Sequence, residues 1–380
     1  MSDTSVLSGT PRDDCAESES PAFGAALDGF GAELERAGYG EFLASFPKVA
    51  AGRNVFRAVS ECLTGHLYAV SRLFLLGEAV RPETLPPAIQ RYLAGLMDVG
   101  VLITQADGSV QCDDVVVRRV GGFWYVCHPP QANPLYYLGE DSLALLGRLM
   151  AQPIRSCVDL CAGPGLHALH CATFAESVTA VELDSQVAEL ARLNVHLNGR
   201  ADRVKIVVGD LCAPLGDCRF DLVVANPPSL PYPSGLPAPR VGHGGIDGRH
   251  HVSKVLRAIP HNLTDNGSAH LVGMTTTDGT TAEMCDWLAA EALCGSLDIV
   301  CTVLSQVRLH DEDPYFRQLT CSVSTISGCD EVVVLRSYEA LFAQCQVNHL
   351  ASFSLRVTPG SGHLECIDLS RTQGAGMWHV

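Results

Sequence analysis

From about residue 154 to 274 the chain alternates short apolar, β-branched runs with stretches of helical period, and no other feature restricts the fold as much. The runs are IRSCVDLC from Ile154, SVTAVEL from Ser177, VKIVVGDL from Val204, FDLVVAN from Phe220 and SAHLVGM from Ser268. Each is short enough for a strand, and a helical segment separates most of them, which predicts a parallel α/β sheet with crossovers covering both faces. Sheets of this kind take ligands at the carboxyl ends of their strands, so functional residues are sought there.

The first run ends in Val158-Asp159-Leu160-Cys161-Ala162-Gly163-Pro164-Gly165 and leads straight into a helical pattern from Leu166 to Phe174. Glycines there let the backbone turn tightly and approach a ligand, and the following helix offers free N–H groups. The spacing is not the dinucleotide signature G-x-G-x-x-G, because positions 161 and 168 are Cys and Ala. The second run ends in Glu182, followed by Leu183, where a carboxylate can accept two ribose hydroxyls. The third ends in Gly209-Asp210-Leu211, with Asp210 placed to accept an exocyclic amine. The fourth delivers Asn226-Pro227-Pro228-Ser229, a strand-end amide followed by rigid carbonyls with no competing N–H donors. Such fixed acceptors suit the orientation of an amine or amide nitrogen.

Together, Asp159, Gly163-x-Gly165, Glu182, Asp210 and Asn226-Pro227-Pro228 resemble the class I S-adenosylmethionine (SAM)-dependent methyltransferases, in the Asn-Pro-Pro-[Tyr/Phe/Ser] branch that usually methylates nitrogen. Gly244-Gly245-Ile246-Asp247-Gly248 and Tyr136-Tyr137-Leu138-Gly139-Glu140-Asp141-Ser142 add to the resemblance, which covers about residues 130 to 325. It implies a Rossmann-like class I methyltransferase sheet with SAM as cofactor. Asp159, Cys161, Gly163 and Gly165 would line its methionine part, Glu182 with Leu183 its ribose, Asp210 with Leu211 its adenine, and Tyr137 its cationic region. Asn226, Pro227 and Ser229 would meet the reacting group, with Asn226 also bordering the cofactor. Tyr136, Tyr232 and His243 are expected around the substrate, and His250 and His251 are further candidate bases. Two departures stand out: Cys161 occupies the place of the first glycine, and Ser229 that of an aromatic residue which stacks on planar targets.

The segments around the core are read from pattern alone. Residues 1–22 are rich in Ser, Asp, Glu, Thr and Pro and form an expected disordered leader. Residues 23–128 carry helical periods followed by short strands around Asp107-Gly108 and Gly121-Gly122, the pattern of a small, mainly helical, winged-helix-like accessory domain. Arg118 and Arg119 are its only cations in the hairpin, so packing or substrate covering is favoured there over DNA reading. Pro129, Pro130 and Pro134 mark a linker, and residues 129–380 form the SAM-binding domain, with extra strands expected at Val332–Leu335 and Phe353–Val357.

Sixteen scattered cysteines without a CxxC pair read as reduced thiols, and no metal site is expected. No export signal or apolar run of membrane-spanning length is present, which points to a cytoplasmic protein without membrane contact. A formal net charge of −16 with three lysines, Lys48, Lys205 and Lys254, makes a nucleic-acid partner unlikely. The local exception is the crowd Arg240, Arg249, His250, His251, Lys254, Arg257 and His261, either a solvated helix face or a site for an anionic group.

Acidity and the missing aromatic favour N-methylation of a small metabolite. The alternatives are cyclisation of SAM to azetidine-2-carboxylate and methylthioadenosine with Asn226 and Ser229 holding its amine, methylation of ribosomal RNA or a protein glutamine, and a non-enzymatic ligand-sensing regulator. The sequence carries no signal of oligomeric state.

Overall fold

The computed structural model describes residues 27–45, 53–129, 131, 134–239, 241–310, 313–371 and 377–378. The expected disordered leader, Pro130 and Arg240 lie outside them. Among these residues, six short α-helices precede the strands: α1 (Phe30–Arg36), α2 (Tyr39–Ala44), α3 (Arg53–Ser60), α4 (Gly65–Phe74), α5 (Pro87–Gln90) and α6 (Leu93–Asp98). Two antiparallel hairpins follow, β1 (Leu102–Thr104) with β2 (Val110–Cys112) and β3 (Val116–Val120) with β4 (Phe123–Cys127). They turn at Asp107-Gly108 and Gly121-Gly122, where glycines hold positive φ.

The main sheet is built from β5 (Ile154–Leu160), β6 (Ala175–Glu182), β7 (Val204–Val208), β8 (Phe220–Ala225), β9 (Leu263–Thr277), β10 (Leu297–Arg308), β11 (His349–Pro359) and β12 (Leu364–Asp368). Their order across the sheet is 12-10-11-9-8-5-6-7. The five strands from β9 to β7 are parallel, and β11 enters antiparallel between β9 and β10. Helices α7 (Glu140–Leu146), α8 (Leu166–Cys171) and α9 (Ser185–Leu197) cover one face, and α10 (His250–Asn262) and α11 (Ala282–Gly295) the other. Between β10 and β11 the chain inserts two more helices, α12 (Pro314–Ser327) and α13 (Glu331–Cys345), which join the core on the α7–α9 side.

The expected parallel α/β sheet with helices on both faces is thus present, preceded by a smaller helical region. Phe353–Val357 lies within β11, but Val332–Leu335 forms the first turn of α13 and not a strand. Three valines in a row mimic a strand, yet the Asp330 side chain accepts the Val332 N–H at 2.8 Å and starts a helix there. Only Val334 of that run is buried, while Val332 and Val333 face solvent.

The accessory region is joined to the sheet domain by side-chain amides. Asn194 on α9 is fully buried; its carbonyl accepts the Val126 N–H at 2.8 Å, and its NH2 group donates to the carbonyls of Val126 (3.1 Å) and Pro164 (2.9 Å). Asn198, one turn on, makes the same pair of bonds to Trp124, at 2.9 and 2.7 Å. The two amides complete the exposed edge of β4 as a neighbouring strand would. Leu190, Leu193 and Leu197 of α9 pack into the accessory core alongside Trp124 and Val126. Asn194→Leu leaves three buried backbone groups without partners, and a loss of roughly 3 kcal/mol is expected by chemical denaturation. A loss under about 0.5 kcal/mol would contradict this reading.

Arg118 is buried with its guanidinium 5.2 Å from the Phe56 ring, and Arg119 pairs with Glu35 and lies over Trp124. Both therefore serve packing in the accessory region. Among the described residues no helix is long and apolar enough to cross a membrane.

Candidate active site

The carboxyl ends of β5, β6, β7 and β8 open along one edge of the sheet, as a parallel arrangement requires. After β5, Cys161 (φ 58°), Gly163 (φ 55°) and Gly165 (φ 90°) wind the backbone through left-handed conformations into α8. A side chain at Gly163 would meet no atom within 4 Å, so the space beside its backbone is open to a ligand. Glu182, at the end of β6, accepts the Gly163 N–H at 2.8 Å with one carboxylate oxygen and the Asp184 N–H at 2.9 Å with the other. Those bonds fix the carboxylate and leave further lone pairs on both oxygens. Leu183 beside it is exposed.

Asp159 is fully buried on β5. Its Oδ2 accepts the Ala168 N–H at 3.0 Å, and its Oδ1 has no partner. Burial pushes its pKa up to about 8, against the Ala168 N–H and with the Glu182 charge adding to the rise. Cys161 sits among Glu182, Asp159, Asp210 and Cys212, and burial first and these charges second hold its thiol protonated. Three carboxyl groups from the ends of β5, β6 and β7 therefore bear on the Cys161 turn. Asp210 is exposed, and Leu211 (φ 49°) turns the chain behind it.

The raised pKa of Asp159 has a signed consequence. The unfolded chain ionises this group near pH 4, whereas the folded chain keeps it protonated to about 8, so the native state binds the extra proton in between. Its contribution therefore lowers stability progressively as pH rises from about 4 to about 8. Asp159→Asn, a neutral isostere, is expected to melt higher than wild type by a margin that widens across that window. A margin independent of pH would contradict the buried acid.

Asn226 lies just past β8. Its Nδ2 donates to Asp141 Oδ2 at 3.0 Å and to Ser142 Oγ at 3.3 Å, and the Tyr137 hydroxyl donates to the other Asp141 oxygen at 2.8 Å. Asp141 and Ser142, in the first turn of α7, thereby fix the amide so that its carbonyl oxygen is the acceptor left over. Sequence reasoning quoted the segment containing Asp141 without giving it a role. Its place in the acidic first turn of a helix was its only local sign, because the contact spans 85 residues.

The other expected residues have these places. Pro227 is buried. Ser229 is buried, and its hydroxyl accepts the Met274 N–H at 3.0 Å, so it is engaged with β9. Tyr232 is buried with its hydroxyl on the Pro237 carbonyl at 2.7 Å and its ring 5.2 Å from that of His243. Tyr136 packs on His128, ring centroids 4.5 Å apart, at the accessory side. His251 is drawn down by burial and by His250 and Lys254, with Asp210 opposing. Within the basic crowd, Arg249 pairs with Glu283 at 3.0 Å over Trp287, and Arg257 makes two 3.0 Å bonds to Glu291.

The glycine-rich segment after this loop folds back on it. Leu230 N–H donates to Gly242 (2.7 Å), and Gly244 N–H donates back to Leu230 (2.8 Å). Tyr338 of α13 caps the same loop through its hydroxyl on the Pro231 carbonyl at 3.2 Å, and Tyr315 of α12 sets its hydroxyl 3.9 Å from Met274 Sδ. Burial and the nearby Asp141 and Glu140 charges raise the Tyr315 phenol to about 12. The inserted helices thus flank the Asn226 side of the opening.

Residues 138–231 match the family model of the methyltransferase small domain. Over these residues the chain is similar to the class I SAM-dependent methyltransferases. In this region, the open backbone beside Gly163 and the fixed Glu182 carboxylate suit an adenosyl sulfonium, and the unpartnered Oδ1 of the neutral, buried Asp159 is left to hydrogen-bond. Over 144 residues the chain is 37% identical to the ribosomal protein uL3 glutamine methyltransferase of Bradyrhizobium diazoefficiens, covering 34% of this chain and 44% of that protein. Over 121 residues it is 32% identical to the tRNA1(Val) (adenine(37)-N6)-methyltransferase of Escherichia fergusonii, covering 30% and 48%. The chain thus spans less than half the length of these curated relatives. The crystal structure of a SAM-dependent methyltransferase from Agrobacterium tumefaciens aligns over 68% of this chain and 77% of that one, at 14% identity and TM-score 0.40.

These relatives correct the partner expectation. A small-molecule acceptor, with nucleic acid unlikely, rested on net charge and on Ser229, whereas the relatives are named for a ribosomal protein and a tRNA. Net charge describes the whole surface and says little about one opening. Ser229 faces β9, so its identity does not decide what lies over Asn226.

Proposed function

We propose that the domain transfers the SAM methyl group to a planar nitrogen of a macromolecule, and that the acceptor is a glutamine side-chain amide of a protein. The observation that carries this reading is the Asn226 amide, whose donors are both spent on Asp141 and Ser142 and whose carbonyl oxygen is left to accept an N–H. A glutamine amide offers such N–H groups, and gripping one of them turns the nitrogen toward the electrophilic carbon. Bound SAM supplies that carbon, activated by its sulfonium. Glu182 anchors the ribose end, Gly163 admits the cofactor against the backbone, and the Pro227-Pro228 carbonyls stay fixed without competing donors.

Three relatives named as ribosomal protein uL3 glutamine methyltransferases support the amide acceptor. An open groove of about 430 Å³ lies between the segment carrying Ser234 and Ile246 and the α13 residues Val333, Arg336, Ser337 and Gln344, and offers room for an extended segment. Incubation with methyl-labelled SAM and purified ribosomal proteins or tRNA should place label on a protein glutamine. Label confined to tRNA, or methylthioadenosine released from SAM alone, would overturn this reading.

A further inference from the structure

Three thiols from three elements meet at the far edge of the sheet, away from the Asn226 opening. Cys301 on β10 and Cys366 on β12 are direct register partners in a parallel pair, so they stand side by side on one face. Cys285 sits in the first turn of α11, which packs over both strands. The Sγ atoms of Cys285 and Cys366 are 2.7 Å apart, and Cys301 stands beside Cys366 across the strand pair. Exposure is graded: Cys301 is buried, Cys285 half-buried and Cys366 exposed. An oxidant in solution therefore reaches the trio at Cys366, with two further sulfurs behind it. The neighbouring thiols pull the Cys366 thiol down to about 6, toward the reactive thiolate. Cys285, pushed up by burial first and by its bond to Cys366 second, keeps its proton.

We propose that Cys366 and Cys285 form a peroxide-reactive dithiol, with Cys366 the attacking sulfur and Cys285 the resolving one. The Cys366 thiolate attacks one oxygen of hydrogen peroxide or an organic hydroperoxide. The O–O bond breaks, a sulfenic acid forms, and the departing oxygen leaves as water or alcohol after taking up a proton. The Cys285 sulfur then attacks the sulfenic sulfur, its thiol proton leaves with the hydroxyl as water, and a disulfide results. Two thiols lose two electrons and one peroxide is reduced. The product ties α11 to β12, an edge strand held in the sheet by β10 alone.

The test uses the reduced full-length chain, treated with equimolar hydrogen peroxide, quenched with an alkylating agent over a time course and mapped by peptide mass. A linked Cys285–Cys366 peptide, about 2 Da lighter than the two thiol peptides together, should appear at least about tenfold faster than oxidation at the exposed Cys62 or Cys321. Cys366→Ser should abolish the fast phase, and Cys285→Ser should divert the link to Cys301–Cys366. The oxidised wild type should melt a few degrees higher than the reduced form, with no such gain in Cys366→Ser. Oxidation of Cys366 no faster than that of Cys62, or its passage to sulfinic acid without a link to either neighbour, would overturn the proposal.

Discussion

Asn226→Ala is expected to lower methyl transfer by about 10²- to 10³-fold while SAM affinity changes by less than about threefold. The split follows from geometry. The Asn226 side chain is bonded to Asp141 and Ser142 on α7, whereas the Glu182 carboxylate and the Gly163 backbone, proposed to hold the cofactor, lie at the β6 and β5 ends and are bonded to each other. Losing the amide removes the group that aims the acceptor and leaves the cofactor side intact. Asp141→Asn should cost less, roughly tenfold, because one orienting bond goes while the Ser142 bond and the acceptor oxygen persist. Initial rates with labelled SAM and a ribosomal-protein substrate, beside calorimetry on the same preparations, separate the two effects. Equal loss of binding and rate in Asn226→Ala would mean that the residue serves the cofactor or the fold.

The largest stability effect is expected at Gly248. It sits at φ 85°, and an added Cβ would lie 2.4 Å from the Met274 carbonyl oxygen and 2.6 Å from that of Ser229. Both obstacles are backbone, one in β9 and one in the Asn226 loop, so neither gives way cheaply. Gly248→Ala should destabilise by more than about 3 kcal/mol, combining left-handed strain with displacement of the loop, and should lower Tm by roughly 5 °C or more. Gly235 is the control: it has φ 92° but open space around its Cβ direction, so Gly235→Ala carries the strain alone, about 1 kcal/mol. Thermal melts of the pair separate steric exclusion from backbone conformation.

The parallel sheet could be read from the residues because its strands are apolar runs set between helices, and local periodicity reports that arrangement directly. The strand-end positions Asp159, Gly163, Glu182, Asp210 and Asn226 followed from the same periodicity, since a strand that stops at a polar residue says where its carboxyl end lies. Contacts made across long chain separations were hidden. Asp141 meets Asn226 across 85 residues, and Cys285 meets Cys366 across 81. Asn194 and Asn198 look like ordinary polar positions on a helix, yet they bind β4 across 68 and 74 residues. Ser229 was misleading for a related reason: a residue type gives no direction, and its hydroxyl turns to β9. Val332–Leu335 reads as a strand by composition, but an aspartate cap and one buried valine among three make it a helix.

Calorimetric titration of the purified chain with S-adenosylhomocysteine, repeated on Glu182→Ala, tests the central claim that the ends of β5 to β8 hold the adenosyl cofactor. The account predicts saturable binding at a single site in wild type, weakened at least about tenfold by Glu182→Ala through loss of charge-assisted hydrogen bonds. Absence of binding in a folded wild-type chain, or equal affinity in the variant, would contradict it.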